Sequence, residues 1–206
     1  RSRFIIFSSQ NERLPERTIE EIKQLCRITF IDDKSFAIID ILKRDGWRKV
    51  MHIRDVEGLG QAEVRDAHIL VVDIQGVGKR MKLTDEGLGL IKALREQYPN
   101  KKIIAYSAED QGQIKAFNEY LELADARLSK NANSYEFIFK IEKFAKQIFS
   151  RDEFLARVKE ILINEFGVNA DTKEIIDKLS KIKKRQSFEQ MEIEKIFNLQ
   201  NAANLA

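Results

Sequence analysis

Short apolar runs that each stop on a polar side chain, with helical patterns between them, constrain this chain more than any other feature. Arg27-Ile28-Thr29-Phe30-Ile31 gives way to Asp32-Asp33, and His68-Ile69-Leu70-Val71-Val72 to Asp73. Lys102-Ile103-Ile104-Ala105-Tyr106 gives way to Ser107, and Ala126-Arg127-Leu128-Ser129 to Lys130. A further strand pattern occupies 49–53. The run at 69–72 lacks polar alternation, as expected of a strand covered on both faces. Helical periodicity appears over 35–44 (Phe36, Ile39, Leu42), 84–97 (Leu88, Ile91, Leu94) and 111–123 (Ile114, Phe117, Leu121), with a shorter helix over 60–67. Asp45-Gly46 closes the first of these. Five strands alternating with helices imply a parallel sheet with right-handed crossovers. In such a sheet, chemistry gathers at the carboxyl ends of the strands.

The 206 residues suffice for one ordinary domain and an appendage. A hydrophobic share of 43% beside 33% charged residues supports a packed core. The net charge of +3 is too small to single out a nucleic-acid partner. Cys26 stands alone, which rules out an internal disulfide and suits a reducing compartment, so a cytoplasmic location is expected. No apolar run approaches the ~20 residues that span a bilayer, so no membrane insertion is expected. Phe4-Ile5-Ile6-Phe7 reads as a short strand or hydrophobic anchor, too short for a signal-peptide core. The chain opens on Arg1 rather than Met, which leads us to expect further sequence outside it.

The polar residues at the strand ends make a coherent set. Mg²⁺ takes hard oxygen ligands. Asp33 and Asp73 on adjacent strands can supply two, Asp32 can act through a water, and the main-chain carbonyl of Gln75 can add another. Three carboxylates so close repel one another, and a divalent cation relieves that repulsion. Asp73 is then the natural nucleophile toward a phosphoryl group. Lys130 offers a point charge to the phosphoryl oxygens, and Ser107 a hydroxyl. Taken singly, each has a plainer role: Asp73 as a turn former, Ser107 as a helix cap, Lys130 as a surface residue. Their convergence favours the chemical reading. Gly76-Val77-Gly78-Lys79-Arg80 looks superficially like a phosphate loop. Asp73 stands where the earlier glycine is required and Arg80 where a hydroxyl should bind the metal, so that reading is rejected. His52 and His68 lack metal-ligand spacing, and Trp47 is expected to pack or to lie at the surface near a turn.

The acidic pair Asp32-Asp33, Asp73, Ser107-Ala108 and Lys130, in this order and on these elements, resemble the site of the CheY-like receiver domain of two-component response regulators. Glu86-Gly87-Leu88-Gly89-Leu90-Ile91-Lys92 and Leu123-Ala124-Asp125-Ala126 are similar to that family's third helix and its approach to the fifth strand. The resemblance covers residues 27–149. It implies an α/β, flavodoxin-like five-stranded parallel sheet of order 2-1-3-4-5. It also implies Mg²⁺ as cofactor and a phosphoryl group accepted on Asp73 from a histidine kinase or phosphotransfer protein, a signalling acceptor rather than an enzyme. The sequence departs from the family's pattern at Arg127, where an aromatic residue is usual, and at Asn131, where proline is usual. The loop over 75–85 is longer and lacks Met-Pro. A receiver used as a non-phosphorylated scaffold therefore stays open as an alternative.

Three regions are expected: a preface over 1–26 with a short helix over 18–25, the receiver over 27–149, and an all-helical C-terminal extension over 150–206. Phe137, Ile141, Phe144, Ile148, Leu155, Val158 and Leu162 keep alternating steps of four and three if Arg151 counts as a seam position. That spacing predicts one helix continuing to Gly167 with a coiled-coil seam, which packs back on the receiver, pairs in a homodimer or docks a partner. Asp171-Thr172-Lys173-Glu174 reads as the next helix start, and Ser187-Phe188-Glu189-Gln190 as the last. Basic and acidic side chains balance over 151–206, which argues against a nucleic-acid partner. Lys181 to Arg185 is the one basic cluster there, and it keeps DNA binding through the last helices as a weaker alternative.

Overall fold

The computed structural model describes residues 16–107 and 118–180. The predicted strand over 4–7, the last helix and the basic cluster at 181–185 lie outside them. The chain divides into two compact units. One is 18–148; the other, among the described residues, comprises 16–17 and 149–180.

In the larger unit, α1 (Ile19–Leu25) opens with a reciprocal cap: the Thr18 hydroxyl accepts from the Glu21 N–H, and the Glu21 carboxylate accepts from the Thr18 N–H. The elements that follow are β1 (Arg27–Ile31), α2 (Ile38–Arg44), β2 (Lys49–Ile53), α3 (Ala62–Arg65), β3 (Ile69–Asp73), α4 (Glu86–Gln97), β4 (Lys102–Ser107), α5 (Asn118–Leu121), β5 (Ala126–Ser129) and α6 (Ser134–Ile148). Residues 108–117 are not described, so α5 is the described part of the helix predicted over 111–123. α2 starts three residues later than predicted. Ser35 does not cap it, and its N-cap position, Ala37, has no side-chain hydrogen bond to offer.

The five strands form one all-parallel sheet in the order β2-β1-β3-β4-β5, the expected flavodoxin-like arrangement. All five residues of the central β3 are buried, so both faces of the sheet are covered. On one face, Ile31, Leu70, Val72, Ile103 and Ala105 pack with Leu90, Ile91 and Leu94 of α4. On the other, the rings of Phe30 and Tyr106 meet Phe36 and Phe137 of α6. Burying each such side chain stabilises the unit by about 1.5–3 kcal/mol. β2 lies at the sheet edge and leaves Lys49, Met51 and His52 exposed. Trp47 packs fully inside, with its indole N–H donating to Asp45 Oδ2 at 3.2 Å.

Asp125 fixes the start of β5. Its carboxylate accepts from the Ile103 N–H (2.8 Å), Arg95 Nη2 (2.6 Å) and Lys102 Nζ (3.0 Å). Burial pushes this carboxyl up, but those three donors outweigh it and hold it below its ordinary value. A depressed carboxyl stabilises the fold above its unfolded pKa and loses that contribution as pH falls through the folded value. Asp125→Asn is therefore expected to remove about 2 kcal/mol of stability between pH 5 and 7. The gap from the native protein should close below about pH 4. Denaturant unfolding across that range measures it; a gap that stays constant into acid would mean that the charge plays no part.

In the smaller unit, α7 (Arg151–Phe166) and α8 (Thr172–Ser180) pair through Leu155, Val158 and Leu162 against Ala170 and Ile175. The predicted continuous helix through Arg151 is corrected here. Ser150 is extended (ψ 153°), and its hydroxyl accepts from the Glu153 N–H at 3.2 Å, so a new helix starts at Arg151. The seam residues accordingly belong to two cores: Phe137, Ile141, Phe144 and Ile148 are buried in α6, and Leu155, Val158 and Leu162 in α7. Gly167 ends α7 at φ +64°, as its sequence position predicts. Asp171 caps α8 by accepting from the Glu174 N–H at 2.8 Å. Among the described residues no helix is long and apolar enough to cross a membrane.

Candidate functional site

Parallel register brings the predicted residues to one end of the sheet. Asp32 and Asp33 follow β1, Asp73 ends β3, Ser107 ends β4 and Lys130 follows β5. Asp73 stands beside Tyr106, and Ser107 beside Ser129, in the ladders. The Lys130 N–H donates to the Ser107 carbonyl at 2.6 Å, which seats the lysine at the strand end.

The side chains converge accordingly. Lys130 Nζ lies 2.5 Å from Asp73 Oδ2 and 3.2 Å from Asp32 Oδ2. Suitably placed oxygens of Asp32, Asp33 and Asp73 all fall within 4.8 Å of one another. Asp32 and Asp73 are buried, at 1% and 3% exposure. Asp33 is exposed and has no side-chain hydrogen bond among the described residues. Its carboxylate lies against Gly76, where a Cβ would come within 2.7 Å of its Cγ. Gly76 also has φ +81°, so glycine is needed there twice over. Gln75 sits just past β3, and its N–H donates to Asp73 Oδ1 at 3.2 Å. Ser107 is buried beside the site at 7% exposure.

In the sequence Tyr106 stands out only as the last apolar residue of its strand. Its hydroxyl donates to Asp32 Oδ2 at 2.6 Å in a buried position. The available signal was a phenol inside an otherwise aliphatic run, since a buried tyrosine needs a hydrogen-bond partner. Glu86 was also missed. It takes the Gly76 N–H on Oε2 at 2.5 Å, which ties the loop after β3 to the start of α4. Its backbone sits at φ +46°, an uncommon conformation for a residue with a side chain.

Burial drives the electrostatics, and specific donors then separate the two inner carboxyls. Burial raises Asp32, but the Tyr106 hydroxyl, the Lys34 N–H and Lys130 outweigh it and hold Asp32 below the usual carboxylate range. Burial also raises Asp73, and there the Lys130 and Gln75 hydrogen bonds do not fully offset it. Burial works against the charge on Lys130, yet the two carboxylates keep its ammonium above its ordinary value. Burial and then the Asp32 carboxylate push the Tyr106 phenol far up, so it remains a donor. One cation thus faces three carboxylates, a donor set of hard oxygens with excess negative charge that fits a divalent metal such as Mg²⁺.

The glycine loop makes no phosphate cradle. The Gly78 and Arg80 N–H groups donate to the Asp55 carboxylate at 2.5 and 3.0 Å. His52 Nε2 is bonded to the Asp32 carbonyl, and His68 Nδ1 accepts from the Arg27 N–H. Arg127 pairs with Glu122. Burial pushes the Cys26 thiol up to about 12, so it is inert.

No protein-family model and no curated protein sequence matches this chain. Solved structures do resemble it. A CheY-like response regulator receiver domain protein from Methanospirillum hungatei is 24% identical, with a TM-score of 0.46 over 60% of this chain and 96% of that one. A LuxR-family DNA-binding response regulator from Staphylococcus aureus is 17% identical, with a TM-score of 0.48 over 59% of this chain and 99% of that one. NtrX from Brucella abortus is 17% identical, with a TM-score of 0.49 over 72% of this chain and 32% of that one. The fold of this chain rests on its own strand order.

Proposed function

We propose that this chain is a response-regulator receiver that accepts a phosphoryl group on Asp73 from a histidine kinase or phosphotransfer protein. The observation that carries the reading is the grip of Lys130 Nζ on Asp73 Oδ2 at 2.5 Å, with the oxygens of Asp32 and Asp33 converging on the same point. Asp32, Asp33, Asp73 and the carbonyl of Gln75 would hold Mg²⁺, which when bound would supply positive charge to the oxygens of the group in transfer. A carboxylate oxygen of Asp73 attacks the phosphorus. An acyl phosphate P–O bond forms as the donor's P–N bond breaks, and the imidazole leaves with the electron pair. Lys130 then turns its ammonium to the phosphoryl oxygens, and the Ser107 hydroxyl donates to another. Buried walls around Asp32 and Asp73 keep those charges strong.

The added charge would redraw the Ser107 and Lys130 hydrogen bonds, and α6 would carry the change toward the C-terminal helices. A homodimer through those helices belongs to the same proposal. A second reading has the chain serve as a non-phosphorylated scaffold. Arg127 motivates it, because its pairing with Glu122 replaces the aromatic residue through which receivers usually couple their site to their surface.

Intact-mass spectrometry after incubation with Mg²⁺ and acetyl phosphate tests the reading. The native chain is expected to gain one phosphoryl group and Asp73→Asn none. An equal gain in both would remove Asp73 as the acceptor. No gain in either, with Mg²⁺ also failing to bind, would favour the scaffold.

A further inference from the structure

Asp32 spends both its oxygens inside the protein. Oδ1 accepts from the Lys34 N–H at 2.9 Å. Oδ2 accepts from the Tyr106 hydroxyl at 2.6 Å and lies 3.2 Å from Lys130 Nζ. The shortest of these contacts comes from a side chain that the phosphoacceptor reading does not use.

The Tyr106 ring has little freedom to move. It stacks on Phe36 with centroids 5.3 Å apart and planes 16° from parallel. Phe137 of α6 and Phe30 of β1 meet it edge-on at 6.2 and 6.4 Å. Lys130 Nζ stands over the ring at 5.1 Å from its centroid. Tyr106 is 1% exposed. A hydroxyl on a ring held by three neighbours is fixed in space, and so is the carboxylate that accepts from it.

We propose that Tyr106 is a positioning residue of this site, whose hydroxyl clamps the Asp32 carboxylate in concert with Lys130 and so sets how strongly the acidic cluster attracts a divalent cation. A short hydrogen bond to a carboxylate draws on the charge that a cation would otherwise use. The clamp fixes the Asp32 geometry while reducing its contribution to cation binding. Asp33, which lacks such a donor among the described residues, and Asp73 then carry more of the attraction.

The inference deepens the phosphoacceptor reading but can be tested without it. Tyr106→Phe keeps the ring and deletes only the donor. Its Mg²⁺ affinity, measured by calorimetry with no phosphodonor present, is expected to be about three- to tenfold tighter than that of the native chain. In an Asp32→Asn background the same substitution should leave the affinity unchanged, because there is no carboxylate left to release. Unchanged or weaker binding in Tyr106→Phe overturns the inference, as does an equal effect in both backgrounds, which would place the cause in ring packing. A metal-free readout stands beside it: the ¹³C signal of the Asp32 carboxyl should move in Tyr106→Phe, and a stationary signal overturns the clamp. If the native chain binds no Mg²⁺, the functional reading fails while the clamp is still decided by that carboxyl signal.

Discussion

Gly87→Ala is expected to remove at least about 3 kcal/mol of stability from the α/β unit, more than an ordinary overpacking substitution. A Cβ at this position would lie 1.9 Å from the Asp73 carbonyl oxygen, 2.7 Å from Ile74 Cα and 2.9 Å from the Asp73 carbonyl carbon. All three are backbone atoms, so no rotamer change relieves the clash. Either α4 lifts from the sheet or the end of β3 shifts. The first exposes Leu88, Leu90, Ile91 and Leu94, all buried now. The second displaces Asp73 itself, so any folded fraction should also bind Mg²⁺ more weakly. Gly89, one position beyond the next residue on the same helix, is the control. Its added Cβ would meet only side-chain carbons at ordinary contact distances, Leu83 Cβ at 3.4 Å, Asp85 Cβ at 3.7 Å and Leu83 Cδ1 at 3.9 Å. Gly89→Ala should be neutral or stabilising, by up to about 1 kcal/mol, through helix propensity. Chemical denaturation of the two variants decides the matter; a Gly87→Ala midpoint close to native would refute the argument.

The sequence made the strands legible because a buried parallel strand leaves a compositional mark. β3 is a run of aliphatic residues ending on Asp73, β4 an apolar run ending on Ser107, and β1 stops at Ile31 just before Asp32. The predicted site residues follow from those ends, since parallel register alone brings Asp32, Asp73, Ser107 and Lys130 to one edge. Tyr106 escaped because strand composition reports burial and says nothing of what a buried phenol bonds to. Its partner Asp32 is distant in sequence and adjacent only across the folded sheet.

The missed break between α6 and α7 has a different cause. A heptad-like spacing is insensitive to a two-residue break at 149–150, because Ile148, Arg151 and Leu155 still step by three and four. The capping signal was present in Ser150-Arg151-Asp152-Glu153, the S-x-x-E pattern of a helix start, and the Ser150 hydroxyl does accept from the Glu153 N–H. Apolar periodicity and cap chemistry disagreed at this point, and the cap won. A side-chain acceptor stabilises the helix start, typically by about 1 kcal/mol. Separate partners for the two halves supply the rest: the sheet unit for Phe137 and Ile141, and α8 for Leu155 and Leu162.

Lys130→Met should make the fold dependent on a divalent cation. The ammonium sits between Asp73 and Asp32, whose side chains are 4% and 1% exposed. Removing it leaves two buried carboxylates facing each other with only neutral donors, namely the Tyr106 hydroxyl and the N–H groups of Lys34 and Gln75. Breaking a buried ion pair from one side usually costs 3–5 kcal/mol, and about 3 is expected here because Lys130 itself is 19% exposed. Methionine retains most of the volume and the contact with the Tyr106 ring, so packing changes little. At the proposed cation site a divalent cation would place positive charge among the same oxygens, and only in the folded state. Mg²⁺ at a hundred times the variant's dissociation constant would add about 2.7 kcal/mol by mass action, and the native chain, whose ammonium competes for the same oxygens, would gain less at that concentration. Thermal unfolding of the native and variant chains in a Mg²⁺ series measures this directly: the deficit should shrink as Mg²⁺ rises, with a steeper rise in midpoint for Lys130→Met than for the native chain. Midpoints of both chains that stay put across the Mg²⁺ series would mean that the three carboxylates at the strand ends are not a cation site, and equal rises in both would mean that the ammonium does not compete with the cation there.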